Sequence, residues 1–335
     1  MKRLQRVTVA LLAAIGVLAV PDVAHADPAG PTDYRTTVTA IEPATDAIAV
    51  DVVGGDAFLR IQVEPGHDVV VLGYDGEPYV HILDDGTIEH NLRSYATYYN
   101  EERYGRTDVP DIVDNAAPPE WERIGDGGTW AWHDHRAHWM GTEPPIGLEP
   151  GGSLPPQIVP IVVDGAPVDI VVSITLVDSP SLVPVIFGAI IGLGLALLGI
   201  VLGPATTGLV MLLFGAAALT VGGAQFASLP AETGRLLTWW LLPAIAVAAI
   251  VVAIGTYGRS RLALSGLTAV AALQVLVWAF RRRTGLTRAI LPTDLPADLD
   301  RFVTAAVLVG SLAVLAATLR LMFVVPPATA PTATD

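Results

Sequence analysis

Residues 182–203, LVPVIFGAIIGLGLALLGIVLG, decide the fold of this chain. The stretch carries no charge, and about 20 apolar residues in an α-helix are enough to cross the hydrocarbon core of a bilayer. We therefore predict a transmembrane helix here. Four further apolar runs follow and predict an all-α transmembrane bundle of about five helices within residues 181–325, with a disordered tail at 326–335. These runs are 207–227, 236–257, 262–280 and 302–324.

Arginines between the fourth and fifth runs bear on the number of crossings. Arg281, Arg282, Arg283 and Arg288 would be expected in the cytoplasm by the positive-inside rule. Five crossings that start outside the cytoplasm put them on the outer side instead. The exact number of spans is therefore open.

A short repeat lies in front of two of the runs. LPAETGR (229–235) precedes the third run and LPADLDR (295–301) precedes the fifth. A duplicated helix pair would place both loops on one face of the bundle. Coincidence is the alternative, because the motif is short.

The first 26 residues have the pattern of a secretory signal peptide. Lys2, Arg3 and Arg6 precede an uncharged apolar run at 7–20, and the small-x-small site Ala24-His25-Ala26 follows. Cleavage would start the mature chain at Asp27, outside the cytoplasm. An uncleaved anchor is the alternative.

Charge separates two regions. Residues 27–180 contain 27 acidic and 7 basic residues, whereas residues 181–335 contain 5 acidic and 9 basic residues. The break predicts a domain boundary near residue 180, and the acidic region argues against binding of nucleic acid. The chain has no cysteine, which excludes disulfides, thiolate metal sites and thiol catalysis.

The acidic region has the alternating pattern of a β-domain. Seven segments rich in β-branched residues are separated by turn sequences such as Gly54-Gly55 and Asp164-Gly165. They predict an all-β extracytoplasmic domain at 27–180, an immunoglobulin-like sandwich with a long insertion at about 84–155. A small barrel is the alternative. The predicted strands are 35–41, 48–53, 57–63, 68–73, 79–83, 157–163 and 168–177.

The insertion carries the densest chemistry of the chain, WHDHRAHWM at residues 132–140. On an extended strand His133 and His135 point the same way, and a turn would bring His138 round to them. Neutral imidazoles so arranged suit copper or zinc. Met140, His81 and His90 are further candidate ligands.

Two other interpretations of this segment are open. In the first, Asp134 and Arg136 pair with each other and with the histidines, and the segment is a buried structural plug. In the second, the spacing is that of the zinc motif of metallo-β-lactamases. That family has Asp before its third histidine, where this chain has Ala137, and no general base or second metal shell is evident. We therefore predict that the chain is not an enzyme.

The chain resembles a family of uncharacterised actinobacterial membrane proteins with a signal peptide, a β-domain bearing this WHDHRxHWM signature, and C-terminal helices. The resemblance lies in NLRS (91–94), YYNEERYG (98–105), PEW (119–121) and WHDHRAHWM (132–140). The architecture is more loosely similar to copper-handling proteins of the CopC and CopD type. Unlike those, the start of the mature chain, Asp27-Pro28-Ala29, has no histidine, and neither do the helices.

These observations predict a protein anchored in the lipid bilayer of the cell membrane, with its N-terminal domain extracytoplasmic. The favoured function is binding, with a transition metal ion held by the histidines. The alternative is a structural or protein-interaction module of the cell envelope in which the histidine segment only stabilises the fold. The expected partner besides the bilayer is a metal ion or a membrane protein.

Overall fold

A computed structural model describes residues 27–141, 143–258 and 261–323. It consists of a β-sheet domain followed by five long apolar helices. The predicted signal peptide (1–26) and the predicted tail (326–335) lie outside the described residues.

Ten strands form two antiparallel sheets in the described part of the N-terminal domain. The seven-stranded sheet has the order β1-β10-β9-β4-β5-β6-β7, and the three-stranded sheet has the order β2-β3-β8. The strands are β1 (Tyr34–Glu42), β2 (Ile48–Val53), β3 (Phe58–Val63), β4 (Val69–Leu72), β5 (Pro78–Ile82), β6 (Ile88–Asn91), β7 (Trp121–Gly125), β8 (Thr129–Trp132), β9 (Gln157–Val163) and β10 (Ala166–Leu176).

The core lies between the two sheets and follows from the alternation of the strands. In β10, every second residue from Val168 to Leu176 is buried. Leu59 and Ile61 of β3 are in the same hydrophobic cluster as Val159 and Ile161 of β9. This arrangement confirms a β-sheet domain, and its immunoglobulin-like form stays a prediction.

The segment expected to be an insertion contributes three of the strands. The seven predicted strands overlap β1 to β5, β9 and β10, whereas β6, β7 and β8 lie within residues 84–155, together with the short helix α1 (Tyr95–Tyr99). The prediction of about seven strands was therefore too low. These three strands have only four or five residues and are rich in Trp, His and charge, which hides the alternation that identifies a strand.

Five helices in the described residues are long and apolar enough to cross a membrane, as expected for a multi-pass membrane protein. Phe187 and Ile190 are among many large apolar side chains on their outer surface that are more than half exposed. Such a surface suits a lipid environment. The helices are α2 (Val183–Leu202), α3 (Pro204–Ala227), α4 (Thr238–Gly255), α5 (Arg261–Arg281) and α6 (Ala297–Phe323).

Glycines allow a close contact between two helices of the bundle. A Cβ atom at Gly188 would lie 2.2 Å from the carbonyl oxygen of Phe302, and one at Gly192 would lie 2.1 Å from that of Ala306. Helices α2 and α6 can therefore approach this closely only because both residues lack a side chain.

Both repeat loops lie on the side of the bundle that faces the β-domain. In the first, a Glu232 carboxylate oxygen accepts a hydrogen bond from the Ala131 amide at 3.1 Å. The Asp294 amide, next to the second loop, donates to Ser228 Oγ, next to the first, at 3.0 Å. Shortly before the second loop, Ile290 forms a β-bridge with Thr32. The structure thus agrees with the expectation that the two loops share a face.

Two arginines, in and before the second repeat loop, also make structural contacts. Arg282 is half-buried, donates to Asp300 at 2.5 Å and also donates to Gln225. Arg301 donates to the carbonyls of Arg288 and Ala289. These contacts join α3, α5 and α6 at the end nearest the β-domain.

Candidate metal centre

The end of β8 and the turn after it position the three histidines. Strand β8 pairs with β3 up to Trp132, so His133 begins where the sheet ends. A turn closed by the Ala137 amide on the Asp134 carbonyl, at 2.9 Å, then reverses the chain. The turn brings His138 back to His133, and the centroids of these two rings are 4.3 Å apart.

The three imidazoles converge. One ring nitrogen from each of His133, His135 and His138 lies within 4.8 Å of those of the other two. The centroid of the His135 ring is 5.3 Å from each of the other two centroids. A metal about 2.0–2.1 Å from each nitrogen needs nitrogens no more than about 4 Å apart, so a small inward movement of the rings would complete the site.

Each imidazole is oriented by a backbone carbonyl. His133 Nδ1 is 2.6 Å from the Ala57 oxygen, His135 Nε2 is 3.0 Å from the Glu102 oxygen, and His138 Nδ1 is 3.2 Å from the Trp139 oxygen. Because a carbonyl only accepts, each of these nitrogens carries the proton of a neutral ring. The tautomer of all three rings is therefore fixed.

The opposite nitrogen of each ring has no hydrogen-bond partner in the described structure. These atoms are His133 Nε2, His135 Nδ1 and His138 Nε2, and all three are buried. In the tautomers fixed by the carbonyls, each presents a lone pair. Metal-binding histidines usually have this arrangement, with one nitrogen on the metal and the other donating to a carbonyl or carboxylate.

Burial keeps the rings neutral. His133, His135 and His138 are 4%, 8% and 3% exposed. Burial, helped by the nearby His135 ring and the Arg103 guanidinium, lowers the pKa of His133 to about 3. Burial also lowers the pKa of His135 and of His138. No proton therefore competes for the three lone pairs at neutral pH.

The pair between the histidines is buried as well. Arg136 donates to both carboxylate oxygens of Asp134, at 2.9 and 2.8 Å, and Trp132 Nε1 donates to the same group at 3.0 Å. Burial acts to raise the pKa of Asp134, but the charge and hydrogen bonds of Arg136 outweigh it, and the pKa is lowered. Asp134 and Arg136 thus pair as expected. The histidine ring nitrogens meet backbone carbonyls, so of the contacts expected for a structural plug only those between the histidines and this pair are not seen.

The other candidate ligands lie elsewhere. His81 Nε2 is 2.8 Å from Asp68, and His90 Nε2 is 2.8 Å from Glu122. Neither ring belongs to the converging group of the described residues. Met140 is half-buried two residues beyond His138, and none of the described contacts joins its sulfur to the imidazoles.

Sequence reasoning missed the groups that orient the rings. The carbonyls of Ala57 and Glu102 have no sequence signature, because every residue has a carbonyl. Arg103, which donates to the fully buried Asp56 at 3.0 and 2.6 Å, was also missed. Its only signal was its position in the YYNEERYG segment of the family resemblance.

The chemistry of the donor set is specific. Three neutral imidazoles and no thiolate suit Cu(I), Cu(II) or Zn(II) and disfavour the hard cations Mg²⁺ and Ca²⁺, which take oxygen ligands.

Comparison of the chain with protein-family models, with curated proteins and with solved structures finds no match.

Proposed function

We propose that this protein is a membrane-anchored binding protein that holds one copper or zinc ion through His133, His135 and His138. One observation carries the proposal. Three buried imidazoles converge, and each has one ring nitrogen without a hydrogen-bond partner while its other nitrogen lies against a backbone carbonyl.

Energetics favours an ion over an empty cluster. A buried polar atom without a partner costs about 1–3 kcal/mol, so three of them cost roughly 3–9 kcal/mol. That is a large part of the free energy of folding of a typical domain. A metal ion would satisfy all three nitrogens at once.

We further propose that the β-domain lies outside the cytoplasm and that the helices anchor it in the bilayer. Five apolar helices and the signal-peptide pattern support this arrangement. The proposed role is binding rather than catalysis, because the sequence offers no evident general base or second metal shell beside the three histidines.

The alternative is a structural or interaction module of the cell envelope. The buried Asp134–Arg136 pair, whose arginine also donates to the Leu72 carbonyl at 3.0 Å, favours it. Burial of the rings against carbonyls suits it too. The structural alternative gives the three unpartnered nitrogens no role, and we therefore rank this alternative second.

Metal titration of the full chain in detergent tests the proposal. We expect one Cu(I) or Zn(II) per chain, measured by elemental analysis after gel filtration. His133→Gln or His138→Gln should weaken binding about 100-fold or more, since loss of even an outer-shell partner costs about 10–100-fold. Metal at about 100 times its Kd should stabilise the wild type by roughly 2.7 kcal/mol.

His81→Gln and His90→Gln are the matched controls, because both remove a histidine that lies outside the cluster. They should leave the stoichiometry and affinity unchanged. If replacing all three cluster histidines by Ala lowers the melting temperature but not the affinity for metal, the structural alternative is correct. A wild-type chain that binds neither metal refutes the proposal.

A further inference from the structure

A cleft separates the β-domain from the first repeat loop of the bundle. It has a volume of about 800 Å³. Trp130 and His133, at and beyond the end of β8, line one side, and Ala231, Glu232 and Arg235 of the loop line the other. The cleft therefore lies where the two parts of the molecule meet.

The lining of the cleft is net negative. Four carboxylates, those of Glu101, Glu122, Asp126 and Glu232, face two guanidiniums, those of Arg123 and Arg235. Asp126 pairs with Arg123, and Glu122 lies 2.8 Å from His90. A concave surface with an excess of one charge raises the local concentration of the opposite ion, here a cation.

His133 is an independent reason to expect a cation at this cleft. The side chain is only 4% exposed, yet it forms part of the cleft wall. Its Nε2 is one of the three unpartnered nitrogens. The wall of the cleft therefore includes one of the three proposed ligand residues.

Glu232 lies close to that ligand. One of its carboxylate oxygens is 3.1 Å from the Ala131 amide, two residues before His133. The hydrogen bond holds the carboxylate of the membrane loop against the end of β8. Glu232 and His133 thus line the same cleft beside the end of β8.

We infer that this cleft is the route by which the metal cation reaches and leaves the histidine cluster, with Glu232 as a transient ligand on the way. The inference rests on the proposed function. It also assigns a role to the first repeat loop, LPAETGR, in supplying one wall of the route.

Stopped-flow mixing of the full chain in detergent with aqueous Cu(II) tests the route. Cu(II) quenches tryptophan fluorescence, and Trp132 is adjacent to His133. We expect Ala231→Phe, which narrows the cleft from its exposed rim, to slow association and dissociation about tenfold or more each, with little change in Kd. Glu232→Gln, which keeps an acceptor for the Ala131 amide, should slow association several-fold and weaken its dependence on salt.

The chain offers a matched control for each variant. Ala116→Phe adds the same bulk at an exposed loop position outside the cleft, and Asp298→Asn removes the corresponding acid of the second repeat loop. Both should keep wild-type rates.

The possible failures are distinguishable. If Ala231→Phe and Glu232→Gln bind Cu(II) at wild-type rates, the proposed route is wrong, whereas the proposed metal site is unaffected. If they lose affinity while association keeps its rate, the route is also wrong. If the wild type binds no metal, the proposed function itself fails.

Discussion

The six histidines of the described residues divide into two sets of three by the kind of oxygen they face. Members of the first set lie 2.7–2.8 Å from carboxylates and are partly exposed; they are His67 with Asp164, His81 with Asp68, and His90 with Glu122. Members of the second set, His133, His135 and His138, face carbonyls and are buried. Only the second set converges, and residue type alone did not distinguish them.

The buried set predicts how the metal-free protein responds to acid. Unfolded, each histidine binds a proton below a pKa of about 6.5. Folded, His133 stays neutral down to about pH 3, and the pKa values of His135 and His138 are also lowered. Between these limits the unfolded chain binds more protons, so stability rises with pH and is lost as pH falls below 6.5.

We expect each such histidine to cost up to about 1.4 kcal/mol per pH unit in this range. Melting curves at pH 7.5 and 5.5 in the presence of a chelator measure it. The double variant His133→Gln, His138→Gln should lose less stability on acidification than the wild type. Equal losses in the wild type and the double variant would contradict the prediction.

At the scale of elements, the contact between α2 and α6 depends on two glycines, whereas a third glycine of α2 has another environment. Gly188 and Gly192 face backbone carbonyls of α6 too closely for a Cβ atom. At Gly194, no neighbouring atom lies within 4 Å of the place that a Cβ atom would occupy. A glycine in a helix sequence does not by itself show which neighbouring helix, if any, it faces.

Gly192→Ala and Gly194→Ala form a matched pair for this contact. Both gain the same helix propensity, about 0.8–1.0 kcal/mol. Only Gly192→Ala forces α2 away from α6, and overpacking typically costs 1–3 kcal/mol. We expect a lower melting temperature in detergent for Gly192→Ala and an unchanged or higher one for Gly194→Ala. The helix contact would be disproved by equal melting temperatures.

At the scale of the whole molecule, the arginine-rich loop joins the bundle to the β-domain. Arg288 pairs with Asp33, and the Ala289 amide donates to the same carboxylate at 2.9 Å. Arg288 therefore has its partner in the β-domain, whereas Arg282 has its partners within the bundle. The positive-inside rule counts these arginines only as indicators of the cytoplasmic side. Their ion pairs give them a structural role as well.

The absence of cysteine from the chain makes the topology directly testable. Single variants Ala116→Cys, in the β-domain, and Ala231→Cys, in the first repeat loop, should react with a membrane-impermeant maleimide in intact cells. Tyr257→Cys, at the opposite end of α4 and 57% exposed, should react only after lysis. The reverse pattern would place the β-domain in the cytoplasm and refute the proposed orientation.

The sequence by itself determined the properties that depend only on residues close together along the chain. Apolar length identified five helices, alternation identified seven of ten strands, and three histidines within six residues identified the candidate ligands. These properties need no knowledge of neighbours in space. The short strands β6 to β8 were not predicted, because their aromatic and charged residues have no clear alternating pattern.

Only the tertiary structure decided the state of the histidines. The carbonyls that fix two of the tautomers come from Ala57 and Glu102, 76 and 33 residues away from their partners. The cleft likewise depends on a loop about 100 residues beyond β8. A ring nitrogen becomes a buried lone pair or a solvated surface group through contacts of this range, which the order of residues along the chain does not encode locally.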